Sequence, residues 1–590
     1  MSDFNDEVFR NTFRHTSSHI LAHAVKRLYP DTRLAIGPAI ENGFYYDFDR
    51  DEPFTQEDLG KIEEEMKKIV REHLSVERFE LPRDHARSLM QEKGESYKVE
   101  LIDDLPKDTA LSFYRQGDFI DLCAGPHLEN TNEVKAFKLT QVAGAYWRGS
   151  EKNKMLQRIY GTSFPDKGQL KDFLDRQEEA RKRDHNKIGR ELGFFTTVDY
   201  IGQGLPILLP KGARVVQLLQ RFVEDEEEKR GYLLTKTPFM AKSDLYKISG
   251  HWDHYRDGMF ILGDPAKAEE EEVLALRPMT CPFQFQAYLT KTRSYRDLPI
   301  RYGETATLFR NESSGEMHGL IRIRQFTISE GHLVCAPDQL ENEFKGCVDL
   351  AAFMLKAVGL DADVSYRFST WDPANQVKYI GSADQWDAVQ STMKGILDHV
   401  GLEYETAPGE AAFYGPKLDI QIRNVFGKED TLITIQIDFQ LAERFGMEYT
   451  DNEGQKKHPF IIHRTSIGCY ERTLALLIEK YAGAMPLWIA PEQARILPIS
   501  TRHLDAAQEL AAKLRLQGLR IDLDLRDEKI GKKIREAQMD KLHYMLIIGD
   551  QEIEQATISV RSRLDGELGS MTLDSLVERM MNEIATRRHA

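Results

Sequence analysis

Hydrophobic and polar residues alternate in different ways along the chain, and changes of pattern separate its regions. Between residues 10 and 30 the apolar positions recur at helical spacing, and residues 34–51, LAIGPAIENGFYYDFDRD, predict strands around Gly and Asn turns. Residues 171–192 are highly charged and helical, without strand character, which is typical of a solvent-exposed connector. The pattern therefore predicts an N-terminal α+β domain followed by a helical linker.

Strand-like runs dominate the middle of the chain. Residues 413–422 (FYGPKLDIQI) and 430–441 (DTLITIQIDFQL) alternate, and helices such as 215–231 lie between such runs, so we expect a mainly antiparallel sheet. Beyond residue 490, strand and helix patterns take turns, which predicts an open α/β domain. We predict a multidomain α+β protein with domains at 1–165, 190–490 and 491–590 and a helical linker at 166–189.

Size and composition fit this organisation. A chain of 590 residues with 41% hydrophobic content can bury several cores. The acidic N-terminus and the absence of an apolar run of spanning length support neither a signal peptide nor a membrane helix, so we expect a cytoplasmic location. Five scattered cysteines are too few for a disulfide framework. The net charge of -16 argues against nonspecific coating of nucleic acid but leaves an RNA partner open.

One stretch, residues 309–332 (FRNESSGEMHGLIRIRQFTISEGH), concentrates anion-binding, aromatic and ligand side chains that core packing does not need. Its part LIRIRQF has period two, so Arg322 and Arg324 are predicted to share one face of a strand. The turn formers at 313–315 predict two antiparallel strands joined by a flexible loop. An anion site and an exposed, charged hairpin both remain open from these residues alone.

The common nucleotide and protease motifs are absent from the sequence. No GxxxxGK[ST] or HExxH occurs, and GQGLPI at 202–207 lacks the third glycine of a dinucleotide fingerprint. Any ATP must therefore be held differently. Arginines that bind phosphate bidentately from a sheet would serve, because a planar guanidinium matches phosphate geometry.

Several segments, in order along the chain, resemble class II aminoacyl-tRNA synthetases. Motifs 1, 2 and 3 of that class resemble GYLLTKTPFM at 231–240, FRNE at 309–312 with Arg322, and GCYERTLALLIE at 468–479. Segments that resemble threonyl-tRNA synthetases in particular are GHWDHY (250–255), RPMTCP (277–282), YGPK (414–417) and IHR (462–464). The resemblance runs from about residue 10 to the C-terminus.

This resemblance implies a function and an assembly. Residues 1–165 would be an editing domain, 190–490 the class II catalytic domain with its antiparallel sheet, and 491–590 an α/β anticodon-binding domain. The chain would be a homodimeric ligase that joins L-threonine to tRNA(Thr) with ATP and hydrolyses mischarged seryl-tRNA(Thr). The small ubiquitin-like domain often found ahead of the editing domain would be missing.

The resemblance also assigns roles at the nucleotide. Arg310 would hold the α-phosphate of ATP and the substrate carboxylate, and Arg472 would bracket the nucleotide from motif 3. Phe326 would stack on adenine opposite Arg472, although taken alone it is better interpreted as a core aromatic. Glu312 would accept from the adenine amino group, and Arg322 would act at the phosphates with Mg²⁺.

The resemblance also implies one zinc ion per subunit. Cys281, His332 and His463 are 51 and 131 residues apart, so spacing alone does not suggest a shared metal, but each lies in a motif that the family uses for zinc. Three N/S ligands leave one tetrahedral position open, where the family binds threonine through its amino group and hydroxyl. Valine lacks the hydroxyl and is excluded. The other residues that match threonine-binding positions are Glu330, Tyr414 and Gln436.

Serine has the hydroxyl and lacks only one methyl, worth roughly 1 to 3 kcal/mol, so a second, hydrolytic site is needed. HTSSH places His15 and His19 one helical turn apart, and CAGPH places Cys123 four residues before His127. Together with GFYYDF they resemble the editing domain shared by threonyl and alanyl synthetases, with supporting residues matched by Lys98 and Asp121. Four N/S groups fit either a metal site or general acid/base handling of water; we follow the family and expect no metal.

The C-terminal domain carries matches to anticodon-reading positions, where polar groups suit splayed single-stranded bases. These positions are Asp527, Lys541, Glu552 and Arg561. Asp527 and Lys541 depart from the commoner Asn and Arg, and each residue alone could be a surface charge.

The substrate pockets also contain departures from the family pattern. Ile328 and Glu330 stand where Gln and Asp are common, RPMTCPFQ replaces the commoner NCPGH, and Thr431 stands where a Gln would assist ATP. Two rival interpretations follow: an RNA-binding or regulatory paralogue that has lost aminoacylation, and a class II enzyme for another amino acid. The retained arginines and zinc-ligand matches weigh against both.

Overall fold

The computed structural model describes residues 4–106, 109–150, 152–269 and 271–589. Contacts divide the chain between Glu179 and Ala180 into two units. This division falls inside the charged helix predicted as the connector. In the part of the chain that the structure describes, no helix is long and apolar enough to cross a membrane.

The N-terminal unit is the predicted α+β fold. The helix expected from residue 10 and the strands expected between 34 and 51 are both present. Its elements are α1 Glu7–Leu28, β1 Arg33–Leu34, β2 Ala39–Ile40, β3 Gly43–Asp49, α2 Gln56–Arg71, β4 Val76–Leu81, α3 Arg83–Glu92, α4 Ser96–Asp104, β5 Leu111–Gln116, β6 Phe119–Leu122, β7 Ala136–Tyr146, β8 Met155–Phe164 and α5 Lys167–Arg183.

Two antiparallel sheets organise this unit. One has the order β1-β3-β8-β7, with β2 beside β3, and the other has the order β4-β5-β6. Helix α1 packs on β3 and α2, and Phe13, Ile20 and Leu21 join the core there. The opposite side of α1 carries histidines toward the segment that follows β6. In α5, by contrast, Ala180 is the buried residue, as the charged connector pattern indicated.

The first part of the second unit has the following elements: α6 His185–Glu191, β9 Phe195–Thr196, β10 Ile207–Leu208, α7 Pro210–Lys229, β11 Leu233–Leu234, β12 Met240–Lys242, α8 Ser243–Ile248, α9 His251–His254, β13 Ile261–Leu262, β14 Leu274–Leu276, α10 Cys281–Leu289, β15 Ile300–Phe309, β16 Gln325–Cys335, α11 Leu340–Val358, β17 Val364–Thr370, α12 Ala383–Val400, β18 Glu405–Pro408, β19 Lys417–Arg423, β20 Glu429–Asp438, α13 Leu441–Arg444, β21 Tyr449–Thr450, β22 Lys456–Lys457, β23 Phe460–Cys469 and α14 Tyr470–Tyr481.

A large sheet with the order β11-β15-β16-β23-β20-β19-β17-β18 supports this part. Neighbours are antiparallel except at its two ends, where β11 runs parallel to β15 and β18 runs parallel to β17. The expectation of a mainly antiparallel sheet is confirmed. Helices α11 and α14 pack on the sheet, and Leu350, Met354 and Leu474 are among the fully buried residues of this core.

The C-terminal part alternates strand and helix as predicted and ends with an antiparallel pair. Its elements are β24 Ala494–Pro498, α15 Leu504–Leu516, β25 Ile521–Leu523, α16 Ile530–Met539, β26 Tyr544–Ile548, α17 Asp550–Gln555, β27 Ile558–Ser562, β28 Gly566–Met571 and α18 Leu573–Thr586. The sheet order is β25-β24-β26-β27-β28, in which β24, β25 and β26 are parallel.

One local prediction is wrong. LIRIR at 320–324 is loop, and the strand β16 begins only at Gln325. Ile321 and Ile323 are buried while Arg322 is exposed, so the alternation that suggested a strand reflects a loop packed against the core. Arg324 does not share an anion-binding face with Arg322, because its guanidinium donates to the backbone carbonyl of Glu312 at 3.0 and 3.1 Å.

Candidate active sites

Strand register brings three distant segments to one face of the central sheet. Side chains alternate along a strand, so Glu330 and His332 of β16 point to the same side. His332 pairs directly with His463 of β23, and His463 pairs directly with Gln436 of β20. Directly opposite residues of antiparallel strands share a face. The sheet therefore places these side chains together although the sequence separates them widely.

Cys281, at the start of α10, completes a buried cluster with the two histidines. The ligand atoms of Cys281, His332 and His463 all lie within 4.8 Å of one another, and all three side chains are buried. Two polar neighbours orient the imidazoles: Nδ1 of His332 lies 2.6 Å from Oε1 of Gln284, and Nε2 of His463 lies 2.9 Å from Oδ2 of Asp438. Each imidazole thus has its second nitrogen left for a ligand.

An orphaned atom supports a metal at this cluster. Nε2 of His332 is buried and has no hydrogen-bond partner among the described residues. Burial lowers the pKa of His332 well below its usual value, so its imidazole is neutral. Burial, with the Glu330 and Asp438 carboxylates, raises the pKa of the Cys281 thiol. A divalent cation would favour the thiolate instead, so two imidazoles and one cysteine sulfur fit a zinc ion.

The cluster borders a cavity of about 410 Å³. This cavity also takes in the residues predicted to bind ATP and threonine, which sequence order leaves far apart. The predicted residues that line it are Cys281, Arg310, Glu312, Arg322, Phe326, Glu330, Tyr414, Gln436, His463 and Arg472. His332 lies fully buried beside them. One site therefore contains both proposed ends of an aminoacyl-adenylate.

Three arginines at the nucleotide end of the cavity differ in their hydrogen-bond partners. The guanidinium of Arg310 lies 5.1 Å from the ring centroid of Phe326, and its buried Nε has no hydrogen-bond partner in the described part of the chain. Arg322 donates from Nε to Glu312 at 2.9 Å. Arg472 donates from Nε to the carbonyl of Ile321 at 2.8 Å and also contacts the carbonyl of Thr431. Arg310 is thus available for an anion, whereas Arg472 also holds the cavity wall.

The threonine end shows how a longer carboxylate is accommodated. Oε2 of Glu330 accepts from the backbone N–H of Thr280 at 3.0 Å and from its hydroxyl at 2.6 Å. Oε1 of Glu330 lies 3.9 Å from Nε2 of His332. The hydroxyl of Tyr414 donates to Oε1 of Gln436 at 2.6 Å. One carboxylate oxygen is therefore fixed, while the other faces the cluster.

Four residues that the sequence reasoning did not single out also shape this cavity. Gln284 and Asp438 orient the imidazoles, and Thr280 holds Glu330. His251 lines the cavity with its Nδ1 2.8 Å from Oγ of Ser249, and burial lowers its pKa to about 3. Thr280, His251 and Gln284 lie in or beside RPMTCP and GHWDHY, so those segments contained a signal; Asp438 ends an alternating strand and had none.

A second cluster lies in the N-terminal unit, between α1 and the segment after β6. Sγ of Cys123 lies 3.3 Å from Nε2 of both His15 and His127, and the rings of His19 and His127 are 4.1 Å apart. Nδ1 of His127 is 3.3 Å from the hydroxyl of Thr16. The predicted editing residues His15, His19, Cys123 and His127 are brought together, and one nitrogen or sulfur atom of each lies within 4.8 Å of the others.

The supporting pair is buried beneath this cluster. Nζ of Lys98 lies 2.7 Å from Oδ1 of Asp121, and both side chains are almost completely buried. Oδ2 of Asp121 accepts from the hydroxyl of Tyr46 at 2.5 Å and lies 3.6 Å from Nε2 of His19. Burial raises the pKa of the Cys123 thiol to about 12, so the thiol is protonated at neutral pH.

The predicted anticodon residues lie at both ends of the strands of the C-terminal sheet. Asp527 precedes α16 and Lys541 follows it, so a helix about 15 Å long separates them. Glu552 lies in α17, after the carboxyl end of β26, whereas Arg561 pairs with Met545 near the start of that strand. The structure therefore does not gather these four side chains at one point.

Comparisons with known proteins cover each part of the chain. Three family models match: the threonyl and alanyl tRNA synthetase second additional domain at 111–160, the class II core domain of the G, H, P, S and T synthetases at 265–481, and an anticodon binding domain at 493–583. Threonine--tRNA ligase of Clostridium perfringens is 60% identical over 586 residues, which is 99% of this chain and 90% of the relative. The chain belongs to the threonyl-tRNA synthetase family.

Further members agree with this assignment. Threonine--tRNA ligase of Clostridium botulinum is 61% identical over 584 residues, again 99% of this chain and 90% of that relative. Among solved structures, the RNA binding domain of threonyl-tRNA synthetase from Cryptosporidium parvum Iowa II is 33% identical, with a TM-score of 0.64 over 68% of this chain and 98% of that one. Sequence and fold thus identify the same family.

Proposed function

We propose that the chain activates L-threonine with ATP, transfers the threonyl group to tRNA(Thr), and hydrolyses seryl-tRNA(Thr) at a separate site. One observation carries this proposal: a single cavity contains the anion-binding Arg310, the aromatic Phe326 and a buried Cys281, His332 and His463 cluster. Phosphate, adenine and a hydroxyl amino acid each have a suitable partner there. Family membership supports the same reaction.

At the nucleotide end, Arg310 would hold the α-phosphate while the threonine carboxylate attacks it, which yields threonyl-adenylate and pyrophosphate. Arg322 and Mg²⁺ would neutralise the phosphates, and Phe326 and Arg472 would enclose the adenine. Arg472 is suited to this because two backbone carbonyls already fix its guanidinium. The threonyl group would then pass to a hydroxyl of the terminal adenosine of the tRNA with AMP as the leaving group, and positioning would supply most of the catalysis.

At the amino-acid end, Cys281, His332 and His463 would hold one Zn²⁺, which would bind the amino group and hydroxyl of threonine. Glu330 would accept a hydrogen bond from the substrate amino group through the oxygen that Thr280 leaves free. Ile328 contributes only an apolar wall. These contacts favour threonine over valine, since valine brings no hydroxyl.

Editing is assigned to His15, His19, Cys123 and His127, with Lys98 and Asp121 in support. General acid/base handling of water would use Cys123, which lies 3.3 Å from His15 and from His127, and His127, which lies 3.3 Å from the hydroxyl of Thr16. For tRNA recognition, Asp527, Lys541, Glu552 and Arg561 would contact the anticodon loop. Two of these residues lie near the carboxyl ends of the parallel strands and two near their amino ends. The bases that they contact would therefore be spread across the domain.

The edge strand β11 suggests how two copies would associate. Leu233 and Leu234 are 56% and 71% exposed, and β11 ends the large sheet. Apolar side chains on an open edge are a ready pairing surface. Phe239 and Met240, just beyond, are 48% and 43% exposed. We propose that this segment forms a homodimer interface.

We propose the domain limits that the sequence pattern predicts: editing at 1–165, a helical linker at 166–189, catalysis at 190–490 and anticodon binding at 491–590. Charging of tRNA for translation would take place in the cytoplasm. One assay tests the function: aminoacylation of tRNA(Thr) with threonine, serine or valine. We expect stable product with threonine only. Failure to charge any amino acid would favour a regulatory paralogue, and charging of another would favour a different class II enzyme.

A further inference from the structure

A buried histidine outside both candidate sites joins the loop between β15 and β16 to the helix α14. His185 begins α6 and is completely buried. Its Nδ1 lies 2.7 Å from Oε1 of Glu479 on α14. The backbone N–H of Leu320, in the loop, donates to its Nε2 at 3.3 Å. The imidazole therefore bridges a helix and a loop.

One protonation state satisfies both contacts. A carboxylate only accepts hydrogen bonds, so Nδ1 of His185 carries the proton and donates it to Glu479. Nε2 then has a free lone pair for the N–H of Leu320. Glu479 is itself buried, and its Oε2 accepts from the backbone N–H of Val425 at 3.4 Å. The bridge is therefore held at its helical end.

The loop approaches the ring closely. Gly319 has a φ of +51°, and a Cβ placed there would lie 2.1 Å from Nε2 of His185. A side chain at this position would thus collide with the imidazole. Leu320, the next residue, has its side chain fully buried in the central core. The loop backbone is consequently pressed against the histidine over consecutive residues.

The same face of α14 also contacts Ile321, the residue that follows Leu320, directly. Arg472 and Glu479 are seven residues apart, which places them two turns apart on one helix face. Arg472 donates to the carbonyl of Ile321 at 2.8 Å, while Glu479 reaches Leu320 through His185. Arg322 comes next in the chain and lines the cavity with Ile321. The N–H of Leu320 and the carbonyl of Ile321 are thus both held immediately before a proposed phosphate ligand.

We propose that His185 is a positioning residue of the nucleotide site: with Glu479 it fixes the loop backbone at Leu320, so that Ile321 and Arg322 stand ready for ATP. It does not touch the substrate itself. The identity of the ligand rests on the proposed function, whereas the bridge rests on the contacts alone. The segment assigned to the linker would therefore contribute to the catalytic domain.

Two substitutions separate the two contacts of the ring. In His185→Asn the amide can still donate to Glu479, but nothing remains near the position of Nε2. In His185→Gln the longer side chain can place its carbonyl oxygen there and accept from Leu320. Glu479→Ala removes the support of the ring. His543→Asn is the matched control, because His543 is equally buried and lies 2.6 Å from the carboxylate of Glu583 in the C-terminal part.

Three quantities are measured on the full chain: hydrogen exchange of the peptide around Leu320, the dissociation constant for ATP, and the threonine-dependent KM for ATP in pyrophosphate exchange. For His185→Asn we expect loop exchange and both ATP constants to rise roughly tenfold, as for one lost hydrogen bond. The KM for threonine should stay unchanged. His185→Gln should lie closer to wild type. Glu479→Ala should match His185→Asn, and their combination should be no worse than the worse single variant.

Several results would overturn the proposal. Loop exchange in His185→Asn that equals that of His543→Asn would show that the histidine does not hold the loop. A looser loop with unchanged ATP affinity would remove its role in the nucleotide site. Equal defects in the Asn and Gln variants would indicate that the ring contributes only core packing. If wild type shows no pyrophosphate exchange, the proposed function fails, while loop exchange and ATP affinity still decide the inference because neither requires turnover.

Discussion

Asp438→Asn tests whether the orientation of His463 matters for metal binding. Asp438 is completely buried. Its Oδ1 accepts from the backbone N–H groups of Gln440 and Leu441, both at 2.9 Å, and its Oδ2 lies 2.9 Å from Nε2 of His463. An asparagine can keep the two backbone contacts through its carbonyl oxygen. Its amide nitrogen then replaces Oδ2 and meets Nε2 of His463.

The substitution therefore reverses one hydrogen bond. With an amide donor opposite it, Nε2 of His463 becomes the acceptor, and the proton moves to Nδ1. That nitrogen then has no lone pair for a metal. Loss of such an orienting partner typically weakens metal affinity about 10- to 100-fold, which corresponds to about 1.4 to 2.7 kcal/mol.

Zinc affinity is measured by competition with a chelator of known strength on the purified chain. Asp419→Asn is the matched control. Asp419 is also buried in the large sheet, and its partners among the described residues are Ser369, Thr434 and Lys417. We expect it to lose stability but not zinc. Affinity of Asp438→Asn within about twofold of wild type, or an equal loss in the control, would refute the reasoning.

Other substitutions and treatments test the remaining assignments. Arg310→Ala should lower threonine-dependent pyrophosphate exchange by about 100-fold or more, since it removes charge stabilisation at the phosphate; near-normal exchange would contradict its role. Cys123→Ala should let seryl-tRNA accumulate while threonylation continues, and continued clearance would sink the editing assignment. A chelator that strips zinc should abolish threonine activation but spare hydrolysis of seryl-tRNA; parallel loss of both would indicate metal at both sites. Leu234→Glu should shift the chain to a monomer in light scattering, and an unchanged dimer would exclude β11 from the interface.

Local pattern was sufficient for the elements and insufficient for the sites. The spacing of hydrophobic residues in α1 and in the runs at 413–422 and 430–441 follows which side chains are buried in the core. Because each helix or strand buries one face, this spacing predicts the element. The same signal misled at 320–324. There Ile321 and Ile323 are buried by a loop packed against the core, and no ladder pairs them as a strand.

The clusters of site residues depend on how neighbouring strands are aligned, and the local sequence pattern does not show that alignment. His332 and His463 are direct cross-strand partners only because β16 and β23 pair in one particular alignment. Their association with Cys281 was predictable from family resemblance alone. His185 was hidden for a related reason: it lies in a charged segment that is typical of a connector, and its two partners are distant in sequence.

Strand β16 also explains where the departures from the family pattern act. Phe326, Ile328, Glu330 and His332 alternate along it and face the same side. At about 3.3 Å per residue, roughly 20 Å separate the proposed adenine partner from the metal ligand. The unusual Ile328 and Glu330 lie between them, where the reacting carboxylate and phosphate would meet. Phe326 and His332, at the two ends of this row, match residues that the family uses, for adenine and for zinc. We therefore expect Ile328 and Glu330 to alter how the substrate backbone is held, and to leave the choice of nucleotide and amino acid to the two ends.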